Sequence, residues 1–258
     1  MRSWFLVLFL VLAVSPVFAK VVTQTVDYKD GNQVLEGYLA YDDSIQGKRP
    51  GILVVHEWNG LGHYAQFRAR QMARLGYVAF AADIYGKGVS ATTPDDALKL
   101  ATPFYKDRAL LRARAAAALD VLTGQPQTDT AKIAAIGYCF GGTTALELAR
   151  SGAALAGVVS FHGGLATPNP LDAKNIKGRI LVLTGGDDAF IGPDERKAFE
   201  DEMRSAGVNW EMDIYGGAMH AFTNPAADSH HMKNIAYNEQ ADHRSWQRMQ
   251  DFFGEIFK

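Results

Sequence analysis

Ile133-Ala134-Ala135-Ile136-Gly137-Tyr138-Cys139-Phe140-Gly141-Gly142 is the stretch on which the reading of this chain turns. Its first four residues are a short, continuous apolar run, the pattern of a strand buried on both faces rather than of one with a wet side. A helical segment, Thr143 to Arg150, follows at once. The glycines flanking Tyr138-Cys139-Phe140 allow a turn so sharp that side chains would otherwise collide, and such a turn lifts the central residue clear of the sheet. A thiol there sits at a helix N-terminus, where the macrodipole favours thiolate, the form that attacks. Cys139 is the only cysteine in the sequence, so this single position carries the candidate nucleophile.

Outward from this turn the same grammar repeats. Gly51 to Val55, Val78 to Ala82, Val158 to Phe161 and Ile180 to Leu183 are further short apolar runs, and Trp210 to Tyr215 adds another strand. Between them lie helical stretches, His63 to Leu75, Asp107 to Leu122 and Pro193 to Ser205, each ending at or near a glycine of the kind that caps helix C-termini. Ala241 to Phe257 closes the chain as a helix with an apolar stripe of Trp246, Met249, Phe252, Phe253 and Ile256. Ahead of all this, Val21 to Tyr28 and Gln33 to Tyr41 alternate apolar and polar residues around Asp30-Gly31-Asn32, which predicts an antiparallel hairpin. Alternating strands and helices after a hairpin predict an α/β fold: one mostly parallel sheet with helices on both faces. The absence of repeats or a long polar linker beyond residue 20 predicts one domain over 20–258.

In such sheets chemistry gathers beyond the carboxyl ends of the strands. After Leu183 come Thr184-Gly185-Gly186-Asp187-Asp188, and Asp188 is the carboxylate expected to orient a histidine. After Tyr215 come Gly216-Gly217-Ala218-Met219-His220, and His220 is the expected general base. The chain order Cys139, Asp188, His220 is the order nucleophile, acid, base that runs in α/β-hydrolases. After Val55 comes His56-Glu57-Trp58-Asn59-Gly60, the loop from which such folds draw a second oxyanion donor, so the backbone N–H groups of Trp58 and Phe140 are the candidates. Glu57 is the unusual member, since a carboxylate beside a thiol disfavours thiolate and would hold Cys139 protonated at rest.

These motifs, together with Ala82-Asp83-Ile84-Tyr85-Gly86 and Met219-His220-Ala221-Phe222, give a sequence that resembles the dienelactone hydrolase family over essentially all of residues 20–258. The resemblance implies an α/β-hydrolase whose Cys-His-Asp triad cleaves esters or lactones through an acyl-cysteine intermediate; that chemistry needs no cofactor, and no metal is expected. It also implies that substrate binding displaces the glutamate, here Glu57, and releases the thiolate toward the histidine. The two arginines that hold the substrate carboxylate in well-studied members correspond to Lys87 and Asn224, which leaves the choice between dienelactone and other esters or lactones open. Tyr85, Tyr138 and Phe222 join Trp58 as expected pocket aromatics, and Lys87, Tyr85, Phe222 and Asn224 as expected substrate contacts.

Composition removes several other classes. With 26 Lys and Arg against 28 Asp and Glu, and no basic patch, a nucleic-acid partner is not expected. One cysteine allows no disulfide framework. His230-His231, with His220 and His243, lacks metal-ligand spacing and reads as a solvated loop. Residues 1–19 have Arg2, an apolar run from Trp4 to Val14, a Ser15-Pro16 break and Val17-Phe18-Ala19, the layout of a cleaved signal peptide. Lys20 stands where a lipoprotein would need cysteine, so a periplasmic or secreted protein without a stable membrane anchor is expected. Monomer and small homo-oligomer both stay open. So do three rival readings: a general carboxylesterase or thioesterase on the same fold, a non-catalytic binding protein, and a thiol redox sensor, the last weakened by the lack of a resolving cysteine.

Overall fold

Strand pairing follows the apolar runs. In the computed structural model, which describes residues 20–258, eight strands form one sheet in the order β1-β2-β4-β3-β5-β6-β7-β8. The first two, β1 (Val21–Asp30) and β2 (Gln33–Asp42), are the expected antiparallel hairpin, and β2 joins β4 (Val78–Ala82) antiparallel as well. The other pairings are parallel, through β3 (Arg49–Val55), β5 (Thr128–Tyr138), β6 (Gly157–Phe161), β7 (Arg179–Gly185) and β8 (Trp210–Tyr215). The segment read as an export signal, 1–19, lies outside the described residues.

The period-two geometry of the strands divides the core between two helical layers. Ile52 and Val54 of β3 face the layer of α1 (His63–Arg74) and α6 (Glu239–Ile256), against Ala69, Met72, Met249 and Phe252. Leu53 and Val55 face the opposite layer of α2 (Pro94–Lys106), α3 (Arg108–Thr123), α4 (Phe140–Arg150) and α5 (Pro193–Ala206), against Phe104, Leu111, Leu148 and Phe199. Each such side chain taken wholly out of water contributes about 1.5–3 kcal/mol. The stripe foreseen on α6 is therefore core.

Two details differ from the expectation. The helix α2 has no counterpart among the helices predicted above, although Thr93 caps it through a hydrogen bond from Asp96 N, with Pro94 following and Asp95 and Asp96 in the first turn. And α3 does not end on a left-handed glycine: Gly124 is right-handed (φ −74°), and the helix stops because Pro126 follows and has no N–H to continue it. No helix among the described residues is long and apolar enough to cross a membrane.

Candidate active site

The elbow is built by backbone crowding. A Cβ on Gly137 would lie 1.9 Å from the carbonyl oxygen of Gly141, and one on Gly141 would lie 2.2 Å from that of Val55. Glycine at these places lets the first turn of α4 rest on the ends of β5 and β3. Between them Cys139 sits at φ 55°, ψ −118°, a conformation that costs a non-glycine residue about 1–3 kcal/mol. Two anchors hold it there: its N–H lies 3.0 Å from the Phe161 carbonyl and 3.1 Å from Nδ1 of His162.

The three residues read from separate strand ends meet. His220 Nε2 lies 3.1 Å from Cys139 Sγ, and His220 Nδ1 lies 2.9 Å from Asp188 Oδ2. The other carboxylate oxygen of Asp188 accepts the Phe190 and Ile191 N–H groups at 2.9 and 3.3 Å, which fixes its rotamer. The neighbouring Asp187 is exposed, its side chain outside this chain of bonds. Burial disfavours charge on His220, but the adjacent Cys139 thiolate and the bond to Asp188 outweigh that and raise its pKa to about 10. Among the described residues, the N–H groups of Trp58 and Phe140 donate to no acceptor in the protein, as oxyanion donors require.

Glu57 and Cys139 line the same cavity, but their bonds are separate. The buried Glu57 carboxyl accepts from Asn224 Nδ2 at 2.7 Å while the thiol is engaged by His220. Burial pushes the Glu57 pKa up, opposed by that Asn224 bond and by the charges of His220 and Arg68. The cavity, about 440 Å³, is floored by Cys139 and His220 and walled by Trp58, Leu98, Phe190 and Ile235.

Several expected contacts are not made. Lys87 is outside the cavity, bound to Asp27 at 2.9 Å and ion-paired with Glu36 at 3.1 Å on the hairpin, because the loop after β4 folds back onto β1 and β2. Tyr85 is buried and donates its hydroxyl to the Trp58 carbonyl at 2.8 Å, so it supports the oxyanion loop from behind. Phe222 is fully buried against His162 and Tyr215. Tyr138 is fully buried too, stacked on Phe161. Of the four expected substrate contacts only Asn224 lines the cavity, and its amide is committed to Glu57. Nor is the stretch around His230-His231 simply a solvated loop: Met232 and Ile235 line the cavity, and Asn234 and Ala236 bond the backbone of His220 at 3.3 and 3.2 Å.

A second layer went unforeseen. His162, fully buried, accepts the Cys139 N–H on Nδ1, so its Nε2 carries the hydrogen and donates to Thr223 Oγ1 at 2.8 Å. Thr223 in turn meets Tyr64 Oη at 2.7 Å and accepts Arg68 Nη2 on its carbonyl at 2.8 Å, and Arg68 pairs with Asp242 on α6. Burial, His220 and Arg68 hold the pKa of His162 well below the ordinary histidine range, consistent with a neutral ring. The signal for it was a histidine directly after the apolar run of β6, ahead of Gly163-Gly164.

A parallel sheet with a strained cysteine at the tip of β5, an acid after β7 and a histidine after β8 defines an α/β-hydrolase. The family model described as "Dienelactone hydrolase family" matches residues 35–257, and the chain belongs to that family. It is similar to Protein usf of Aquifex pyrophilus, 32% identical over 206 residues that cover 78% of this chain and 87% of the relative. Among solved structures it is similar to m3DLH (43% identity, TM-score 0.90, 92% of this chain and 99% of the other). It is also similar to a dienelactone hydrolase-like promiscuous phosphotriesterase from metagenomic libraries (42% identity, TM-score 0.89, 93% and 99%).

Proposed function

We propose that this hydrolase opens an ester or lactone by covalent catalysis at Cys139, acting outside the cytoplasm after removal of residues 1–19. The observation that carries the reading is the hydrogen-bonded series Cys139 Sγ, His220, Asp188 beside two unspent N–H groups. Thiolate attacks the carbonyl carbon, and the developing oxyanion is taken by the Trp58 and Phe140 N–H groups. As the tetrahedral adduct collapses, His220 Nε2–H protonates the departing alkoxide and leaves an acyl-cysteine. His220 then removes a proton from water, the hydroxide adds to the thioester, and the acid and Cys139 are released. Asp188 holds one tautomer of His220 throughout. Glu57, buried and protonated more readily than an exposed glutamate, would shield the thiolate from a second negative charge.

The test is turnover of short-chain aryl ester and lactone panels by the mature protein and by Cys139→Ala and Cys139→Ser, with intact-mass detection of the acyl-enzyme. Turnover lost in Cys139→Ala, with an acyl adduct on the wild type, is expected. Turnover that survives Cys139→Ala would overturn the assignment. Export is read separately, by whether the chain found outside the cytoplasm begins at Lys20.

A further inference from the structure

We infer that the ester taken by this site is uncharged and apolar on both sides of the scissile bond, its leaving alcohol seated on Phe190 and its acyl group on one face of α2. This rests on the hydrolase reading above and names its substrate class.

Three large side chains of apolar or aromatic character line the cavity yet stay partly in water: Leu98 is 55% exposed, Phe190 51% and Tyr105 40%. Exposed apolar residues scattered singly are ordinary, but three gathered on one concave surface leave area that a ligand would cover. Leu98 and Tyr105 stand seven residues apart on α2, two turns along one face. The adjoining face, with Ala101 and Phe104, is buried in the core, so the helix carries apolar residues on its cavity side beyond what its packing needs. At about 440 Å³ the cavity is of the size that encloses ligands as large as a drug molecule.

The reacting atoms assign the two halves of the ester. His220 Nε2 protonates the leaving oxygen, so the alcohol lies beside that ring, and the Phe190 ring stands edge-on to it with centres 5.1 Å apart. The carbonyl oxygen goes to the Trp58 and Phe140 N–H groups, and the acyl group takes the remaining wall. That wall is α2. Its Tyr105 ring meets the Phe140 ring edge-on at 5.5 Å, and the Ala91 N–H, donated to the Asn59 carbonyl at 2.9 Å, ties the loop leading into α2 to the oxyanion loop. The acids of the lining are turned to the protein, Glu57 to Asn224 and Glu195 to the Leu165 and Ala166 N–H groups. Arg108 lies over the Tyr105 ring at 5.2 Å, with Nη2 3.4 Å from the Ala166 carbonyl and no acceptor on Nε or Nη1. A carboxylate on the acyl group is therefore the competing outcome, and a charged substrate enters the test.

The experiment reads kcat/KM as ratios between paired esters, which cancels any general loss in a variant. Phe190→Ala keeps the backbone N–H that Asp188 uses and removes only the ring. The ratio of 2-phenylethyl butyrate to ethyl butyrate, which leave the same acyl-enzyme, is expected to fall about tenfold or more in this variant. In Leu98→Asp the ratio of p-nitrophenyl hexanoate to p-nitrophenyl acetate is expected to fall by about fivefold or more. Wild type is expected to favour p-nitrophenyl pentanoate over p-nitrophenyl hydrogen glutarate, equal in chain length and different in charge. Either ratio unchanged within twofold, or a preference for the glutarate, overturns the inference. If wild type hydrolyses none of these esters, the hydrolase reading fails instead, and titration of 2-phenylethyl butyrate into Cys139→Ala and Cys139→Ala/Phe190→Ala decides the binding face. Weaker binding by about fivefold or more in the double variant supports it, and equal binding or none overturns it.

Discussion

The side-chain amide of Asn224 holds the buried carboxyl of Glu57 at 2.7 Å, joining the loop after β3 to the loop that bears His220. That bond lowers a pKa which burial raises, so its loss should raise the pKa further. Because neutral Glu57 spares the thiolate a second negative charge, the alkaline fall of kcat/KM that its ionisation causes is expected to move to higher pH in Asn224→Ala and to disappear in Glu57→Gln. A limb that stays in place in both variants would remove Glu57 from the titrating machinery.

Asp188→Asn keeps the acceptor that the Phe190 and Ile191 N–H groups use but no longer stabilises imidazolium. A fall in kcat of about 10²- to 10⁴-fold is expected, with the melting temperature little changed. Steady-state kinetics with calorimetry check it.

Because the His220 pKa is raised, from 6.5 to about 10, its proton adds stability to the fold that is complete below about pH 6.5 and is lost as pH rises through 10. The stability difference between wild type and His220→Gln should shrink over that window. In Cys139→Ala the thiolate that raises the pKa is gone, so the His220 titration followed by NMR should move down. Its staying near 10 would show that Asp188 alone sets it.

Arg68 is caged by Tyr64, Tyr138 and Trp246, with its centre 4.9 Å from the Trp246 ring, and it neutralises Asp242. Arg68→Met leaves a buried carboxylate unpaired and should cost about 3–5 kcal/mol in urea unfolding, whereas Arg68→Met/Asp242→Leu should recover most of it.

His162→Leu removes one of the two acceptors of the Cys139 N–H and one of the two partners of the Thr223 hydroxyl, which keeps Tyr64. About 1–3 kcal/mol of stability should go, with kcat reduced more than KM is raised, because the strained turn at Cys139 loses one of its two anchors.

What was legible in the sequence is what lies next to a strand end. Cys139, Asp188 and His220 follow apolar runs within a few residues, and parallel pairing carries those ends to one edge of the sheet. Contacts set by how loops fold back were not legible. Lys87 follows β4 as the family pattern suggests, but Asp27 and Glu36 capture it from the hairpin, and no local feature announces that. Tyr85 and Phe222 are aromatic residues beside the right motifs, and aromatic character alone does not say whether a ring faces a cavity or its backing. The helix α2 could have been found from Thr93-Pro94-Asp95-Asp96. His162 becomes informative only once its partners can be seen.

The cavity draws its parts from two sources. Cys139 and His220, with Asp188 behind the histidine, hang from the ends of sheet strands, whereas Leu98, Met232 and Ile235 come from α2 and the segment that backs His220, neither of which belongs to the sheet. Bond-breaking and substrate choice therefore have separate addresses in the chain. Insertions or substitutions in the outer segments can redirect the molecule to new compounds while the reacting atoms stay where they are, which makes this architecture easy to repurpose, by selection or by design.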